Sequence, residues 1–282
     1  VVLHPRPADT ANLQLPCGRC VGCRTAKAQE WAARCVHEAR YHPESIFATL
    51  TYADDRLPED GHLVPRHLTL FLKRLRQAMR RRRKRPVALR GQRLRFVACG
   101  EYGEQFGRPH YHAILFGVGF DDEQVVRRGE QPLFTSPTLE TLWGFGHAVY
   151  GQVTAASAAY VAGYTMKNIG EPGCDQDGVT RQPPFFRCST RPGIGAFYVS
   201  SFPDDFRGGA LMSADSPGRI PRYYKKILER DNADIAEEAA YAAHTEQRQR
   251  FARDPERNQP HRVAAAEAVL KAKKALAHRP TF

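Results

Sequence analysis

The stretch RLRFVACGEYGEQFGRPHYHAILFG, residues 93–117, constrains the fold more than any other part of the chain. Two runs rich in apolar, branched and aromatic residues, RLRFVACG (93–100) and HYHAILFG (110–117), flank a polar, glycine-bearing link, EYGEQFGRP. Such runs read as strands, and the link between them reads as the turn of an antiparallel hairpin. A lone hairpin is marginal in water, so other elements must cover its apolar face. In the second run, alternation puts His110, His112, Ile114 and Phe116 on one face and Tyr111, Ala113 and Leu115 on the other. Two imidazoles on one face could hold one divalent ion, and a carboxylate would complete a His–His–acid donor set. Glu101 is the first choice, because the hairpin could return it beside His110, and Glu104 is the alternate. The same His-x-His pattern also fits two hydrogen-bonded histidines at a sheet edge.

The flanking segments suggest what completes the sheet. SIFATLTY (45–52) and GFGHAVYGQV (144–153) read as further strands. TAKAQEWAARCVHEARYH (25–42) reads as a helix stopped by Pro43. PRHLTLFLKRLRQAMRRRRKR (65–85) is a second helix, with Leu68, Leu72, Leu75 and Met79 at helical spacing, Pro65 in its first turn and a basic end that suits the helix dipole. TLETLW reads as a short helix after a less regular insertion at 118–137, and residues 154–169 read as a helix with Thr154 at its N-cap. The order strand, helix, strand, strand, short helix, strand predicts an α+β fold with a ferredoxin-like (RRM-like) central antiparallel sheet and added N- and C-terminal helices. Residues 170–220, rich in Gly, Pro and Ser, predict loops, and helices follow near 222–230, 233–252 and 261–278, the last Ala-rich and peripheral. The expected division is 1–44, a core at 45–170, and an extension at 171–282 packed on the core.

Charge narrows the partners. Lys and Arg total 42 against 30 Asp and Glu, a net +12, and much of the excess is the run RRRRKR at Arg80–Arg85. A polyanion is the natural partner, nucleic acid before an anionic membrane. No apolar run reaches transmembrane length, and the first residues lack the charged-then-apolar order of a signal peptide. Seven cysteines, three of them in CGRCVGC, point to a reduced compartment, hence the cytoplasm. Cys17, Cys20 and Cys23, with Cys35 or His37 as a fourth donor, could form a structural Zn2+ site. An iron–sulfur site and a metal-free loop stand open beside it.

The segment YVAGYTMK carries a second polar constellation. Tyr160 and Tyr164 are i and i+4, and Lys167 lies three residues on, so a helix would present all three on one side. Ordinary amphipathic packing gives the same spacing. Gly163 costs about 1 kcal/mol against alanine in a helix and could admit a close backbone approach or be a packing compromise.

Together FATLTY, CGEYGEQFGRPHYHAILF and AAYVAGYTMK resemble the three motifs of the HUH endonucleases that initiate rolling-circle replication. LPCGRCVGCRTAKAQEWAARCVHEA, STRPGIG and PRYY narrow the resemblance to the initiators of gokushovirus-like microviruses, small single-stranded DNA phages; it spans roughly residues 15–225. The resemblance implies that FATLTY is structural, that His110 and His112 with Glu101 hold Mg2+ or Mn2+, and that Tyr160 and Tyr164 are paired nucleophiles. Tyr164 is favoured as the first, and Lys167 matches the motif lysine. Gly163 departs from related motifs, which often carry a basic residue there. The implied activity is metal-dependent, site-specific nicking and joining of single-stranded origin DNA through a 5′-phosphotyrosine. Implied partners are a host helicase and polymerase in the bacterial cytoplasm, since no Walker P-loop is evident. Arg74, Arg76, Arg80, Arg81, Arg82, Arg83, Lys84, Arg85 and Arg108 are candidate phosphate contacts, with Arg191 a weaker one. A non-catalytic DNA-binding module and a metal-dependent hydrolase without a tyrosyl intermediate are the alternatives.

Overall fold

A computed structural model describes residues 18, 20–81, 93–103, 106–164, 181–212, 217–254, 256 and 259–277. The hairpin forms as β2 (Arg95–Tyr102) and β3 (Pro109–Phe116), and β1 (Ser45–Thr51) pairs antiparallel with β3 on its other side. With β4 (Gln124–Arg127), β5 (Leu133–Thr135), β6 (Ala148–Gln152) and β7 (Phe185–Cys188), they make a seven-stranded antiparallel sheet in the order β4-β5-β6-β1-β3-β2-β7. Without β4, β5 and β7, the order 6-1-3-2 is the ferredoxin-like arrangement. The histidine strand is therefore central rather than an edge.

Both faces of the sheet are covered, which is why its strands carry long apolar runs. On one face, α2 (Pro65–Arg81) and α3 (Pro137–Trp143) set Leu68, Phe71, Leu72, Leu75 and Trp143 against Leu50, Tyr111, Ala113 and Leu115. On the other, Val97, Cys99, Ile114 and Phe116 meet Cys35 of α1 (Val21–Ala39), Ala158 and Val161 of α4 (Ala155–Tyr164), and Ile194. Thr154 caps α4, its hydroxyl accepting from the Ser157 amide at 3.0 Å.

A buried ion pair ties the second face together. Glu38 of α1 accepts from Arg95 of β2 and from the Gly195 amide (2.7 Å), and sits 3.4 Å from His42. Burial alone would raise the Glu38 carboxyl, but the hydrogen bonds with His42, Arg95 and Gly195 outweigh it and hold the group below its ordinary range.

The irregular insertion expected at 118–137 instead contains β4 and β5, which extend the sheet beyond β6. Likewise, the loop-rich 170–220 contains β7, α5 (Ala196–Ser201), β8 (Ala210–Met212) and β9 (Pro217–Arg219). These elements are three to six residues long. Such short strands exist because a neighbour supplies hydrogen-bond partners, not because their own sequence alternates.

Residues 31–203 form one compact unit, and residues 1–30 with 204–282 form another. In the latter, α6 (Arg222–Asp231) buries Tyr224, Ile227 and Leu228, and Phe206 packs edge-on to Tyr224. Arg207 pairs with Asp204 and with Asp234 and Glu238 of α7 (Ala233–Arg253). The described side chains of α8 (Pro260–Ala277) are mostly exposed, and no helix among the described residues is long and apolar enough to cross a membrane.

Candidate metal centre

Register decides which donors meet. Across β2 and β3, Glu101 is paired with His110 and Cys99 with His112, while β1 places Thr49 opposite His112. The Glu101 Oε1 lies 3.1 Å from His110 Nε2 and 3.0 Å from His112 Nε2, and the three donor atoms lie within 4.8 Å of one another. The two imidazoles stand nearly perpendicular, 4.9 Å apart. Glu104 lies outside the described residues.

The ring orientations suit metal binding. His110 Nδ1 donates to the Arg108 carbonyl at 3.1 Å, and His112 Nδ1 is 3.0 Å from the Thr49 hydroxyl. Outer hydrogen bonds of this kind fix the ring and leave Nε2 to face an ion. Thr49 is legible in the sequence as part of FATLTY, but its partner depends on strand register. Burial would raise the Glu101 carboxyl, yet its hydrogen bonds to both imidazoles bring it below its ordinary range. Burial pushes the His112 imidazole down, toward the neutral form that carries a free lone pair. Burial also opposes charge on His110, but contact with Glu101 raises it overall. Two nitrogens and an ionised carboxylate fit a divalent ion; they do not specify which one.

The tyrosine between the histidines works on the opposite face. Fully buried Tyr111 donates to the Val64 carbonyl (3.1 Å), accepts from the Val64 amide (2.9 Å) and lies 2.7 Å from the Tyr52 hydroxyl. It thereby anchors the histidine strand to the segment leading into α2. Tyr111→Phe leaves the Val64 groups and the Tyr52 hydroxyl short of a buried partner, and a loss of about 1–3 kcal/mol is expected in denaturant unfolding. An unchanged unfolding midpoint would remove this anchoring role.

The Tyr160 ring, 41% exposed, stands edge-on to His112 at 5.4 Å and to Phe47 at 6.1 Å. Tyr164 is the last residue of α4, one turn further on, and Lys167 lies outside the described residues. A side chain on Gly163 would meet nothing within 4 Å, so no described neighbour requires the glycine.

The candidate phosphate contacts separate. Helix α2 covers the Tyr111 face, so Arg76 and Arg80, both exposed, lie across the sheet from the His–Glu cluster. Arg74 donates to the Trp143 carbonyl and lies over the Phe145 ring, so its guanidinium serves packing at the end of α3 rather than an open surface. Arg81 ends α2, and Arg82, Arg83, Lys84 and Arg85 lie outside the described residues. Arg108 donates to the Tyr52 carbonyl (2.6 Å) and pairs with Asp54 (2.7 Å), a brace beside the histidine strand. Arg191 is exposed in the turn before α5.

Among the cysteines, Cys17 lies outside the described residues, and the Cys23 amide points at Cys20 Sγ (3.4 Å). Cys35 sits in the sheet core, where burial pushes its thiol up and keeps it from being a ready thiolate donor. Cys23 and Cys35 are both on α1, where twelve residues of rise put them about 18 Å apart. Cys35 therefore does not complete a Cys20–Cys23 site, and His37 is instead stacked on Tyr198 at 3.7 Å.

A ferredoxin-like sheet with a His-x-His strand, a facing glutamate and a tyrosine-bearing helix defines an HUH endonuclease-like fold. The family model for the phage replication-associated protein ORF2 matches residues 45–169. The chain is 33% identical over 235 residues to replication-associated protein VP4 of Bdellovibrio phage phiMH2K, covering 80% of this chain and 71% of that protein. It is 32% identical over 234 residues to replication-associated protein ORF2 of Spiroplasma virus 4 (79% and 70%), and 28% identical over 224 residues to replication-associated protein ORF4 of Chlamydia phage 1 (77% and 54%). The chain belongs to this family of phage replication-associated proteins. No solved structure matches it.

Proposed function

We propose that the chain is a metal-dependent nickase and strand transferase that opens and rejoins single-stranded origin DNA of a phage genome, starting and ending rolling-circle replication. The observation that carries this reading is Glu101, His110 and His112 converging beneath the Tyr160 ring. Mg2+ or Mn2+ held by these three side chains would polarise the scissile phosphate and offset charge on its nonbridging oxygens.

The tyrosines supply the nucleophiles. A phenol oxygen forms the bond to phosphorus as the bond from phosphorus to the 3′-oxygen breaks; the phenol gives up its proton, and the leaving oxygen gains one. The products are a 5′-phosphotyrosine and a free 3′-hydroxyl. Tyr164 takes the first strand with Lys167 beside the phosphate, and Tyr160 cleaves the regenerated origin after one round. The freed 3′-hydroxyl then attacks the first phosphotyrosine and closes the circle. A host polymerase extends the 3′-hydroxyl, and a host helicase separates the strands, in the host bacterial cytoplasm. Arg76, Arg80 and the basic residues after them hold DNA away from the scissile bond, because α2 lies on the other face of the sheet.

The test is a denaturing gel of 5′- and 3′-labelled single-stranded origin with Mn2+ or EDTA. A protein adduct carrying the 3′ label is expected with metal alone, and none from the Tyr160→Phe/Tyr164→Phe double variant. Cleavage surviving in the double variant would overturn the tyrosyl mechanism; origin binding with no adduct in the parent would leave a binding module.

A further inference from the structure

The turn between β2 and β3 contains an apolar side chain that the fold does not use. Phe106 is 89% exposed. A single exposed apolar residue is ordinary on a protein surface. The turn that carries Phe106 is not ordinary, because it is fastened on several sides. The Gly103 amide donates to the Arg108 carbonyl and the Gly107 amide to the Gly103 carbonyl, both at 2.9 Å. Arg181 donates to the Gly107 carbonyl (3.3 Å) and lies over the Tyr102 ring, while Arg108 is tied to Tyr52 and Asp54. Gly107 has φ +58°, and a Cβ there would meet Arg181 Nη1 at 2.8 Å, so the turn depends on glycine.

The same turn borders the metal donors. It joins the strand of Glu101 to the strand of His110, and a side chain on Gly103 would lie 3.9 Å from the His110 ring. Phe106 is four residues from His110, within about 14 Å along the chain. A fixed aromatic face beside guanidinium groups, in a chain of net charge +12, suits an unpaired nucleobase whose phosphates lie against the cations. Duplex DNA hides its base faces and offers this ring little.

We infer that Phe106 is a stacking platform for an unpaired base of the DNA strand entering the His–Glu site, held by the Gly103–Arg108 turn with Arg108 and Arg181. The inference rests on the reading that the site acts on single-stranded DNA. It makes Phe106 a binding residue rather than a catalytic one.

The test is fluorescence anisotropy of labelled oligo-dT, and of a duplex of equal length, in EDTA so that no cleavage intervenes. Phe106→Ala is expected to weaken oligo-dT binding by about 5- to 100-fold, to leave the salt dependence and duplex affinity unchanged, and to leave the melting temperature unchanged. Phe106→Trp is expected to restore oligo-dT binding. Equal oligo-dT affinity of the parent and Phe106→Ala, or equal losses on both DNA forms, would overturn the inference. If the parent forms the tyrosyl adduct while Phe106→Ala binds as the parent does, this inference falls alone. If the parent neither binds nor cleaves single strands, the functional reading falls and takes this one with it.

Discussion

His112→Ala is expected to weaken Mn2+ binding by more than about 100-fold and to abolish metal-dependent cleavage. Loss of an outer hydrogen-bond partner typically costs about 10–100-fold in metal affinity, and removing the donor nitrogen itself costs more. His112 is well placed to matter: it is buried, its Nδ1 is bonded to Thr49, and its Nε2 faces Glu101 at 3.0 Å. The measurement is Mn2+ titration by calorimetry, with thermal unfolding of the metal-free protein alongside. Affinity within threefold of the parent would show that an ion does not need this imidazole, and the three-donor site would have to be abandoned.

Glu38→Ala should lower stability by about 3–5 kcal/mol, because it strands the Arg95 guanidinium in the interior. Glu38 is 1% exposed and Arg95 7% exposed, so water cannot replace the lost partner. Glu38→Gln should retain the hydrogen bond to the Gly195 amide and lose less. The pair also makes stability depend on pH. The folded-state carboxyl of Glu38 titrates below its unfolded value, so its contribution is complete above the ordinary glutamate range and drains away as pH falls through the depressed folded value. Urea unfolding of parent and Glu38→Gln across the acid range measures this. Parallel stability curves for the two proteins would show that Glu38 is not a source of the acid sensitivity.

The main elements are legible because their signals are local. Leu68, Leu72, Leu75 and Met79 mark one side of α2, and the alternation through His110–Phe116 marks β3. The strand order 6-1-3-2 follows from the sequence of element types. The short strands β4, β5 and β7 are not legible: Gln124–Arg127 is exposed at all four positions and has no buried face to announce it. Arg74 and Arg108 show the same limit for charge. Their side chains read as phosphate contacts until Trp143 and Asp54 take them up.

At the site, local sequence places both histidines on one face, because alternation in a strand needs no knowledge of its neighbours. It also places Tyr160 and Tyr164 one helical turn apart. Three matters needed the tertiary structure: Glu101 directly across from His110, Thr49 behind His112, and α2 with its arginines on the far side of the sheet. The reason is physical. A strand's own residues set which way each side chain points, but hydrogen-bond register with another strand sets what it points at, and register is a property of the pair.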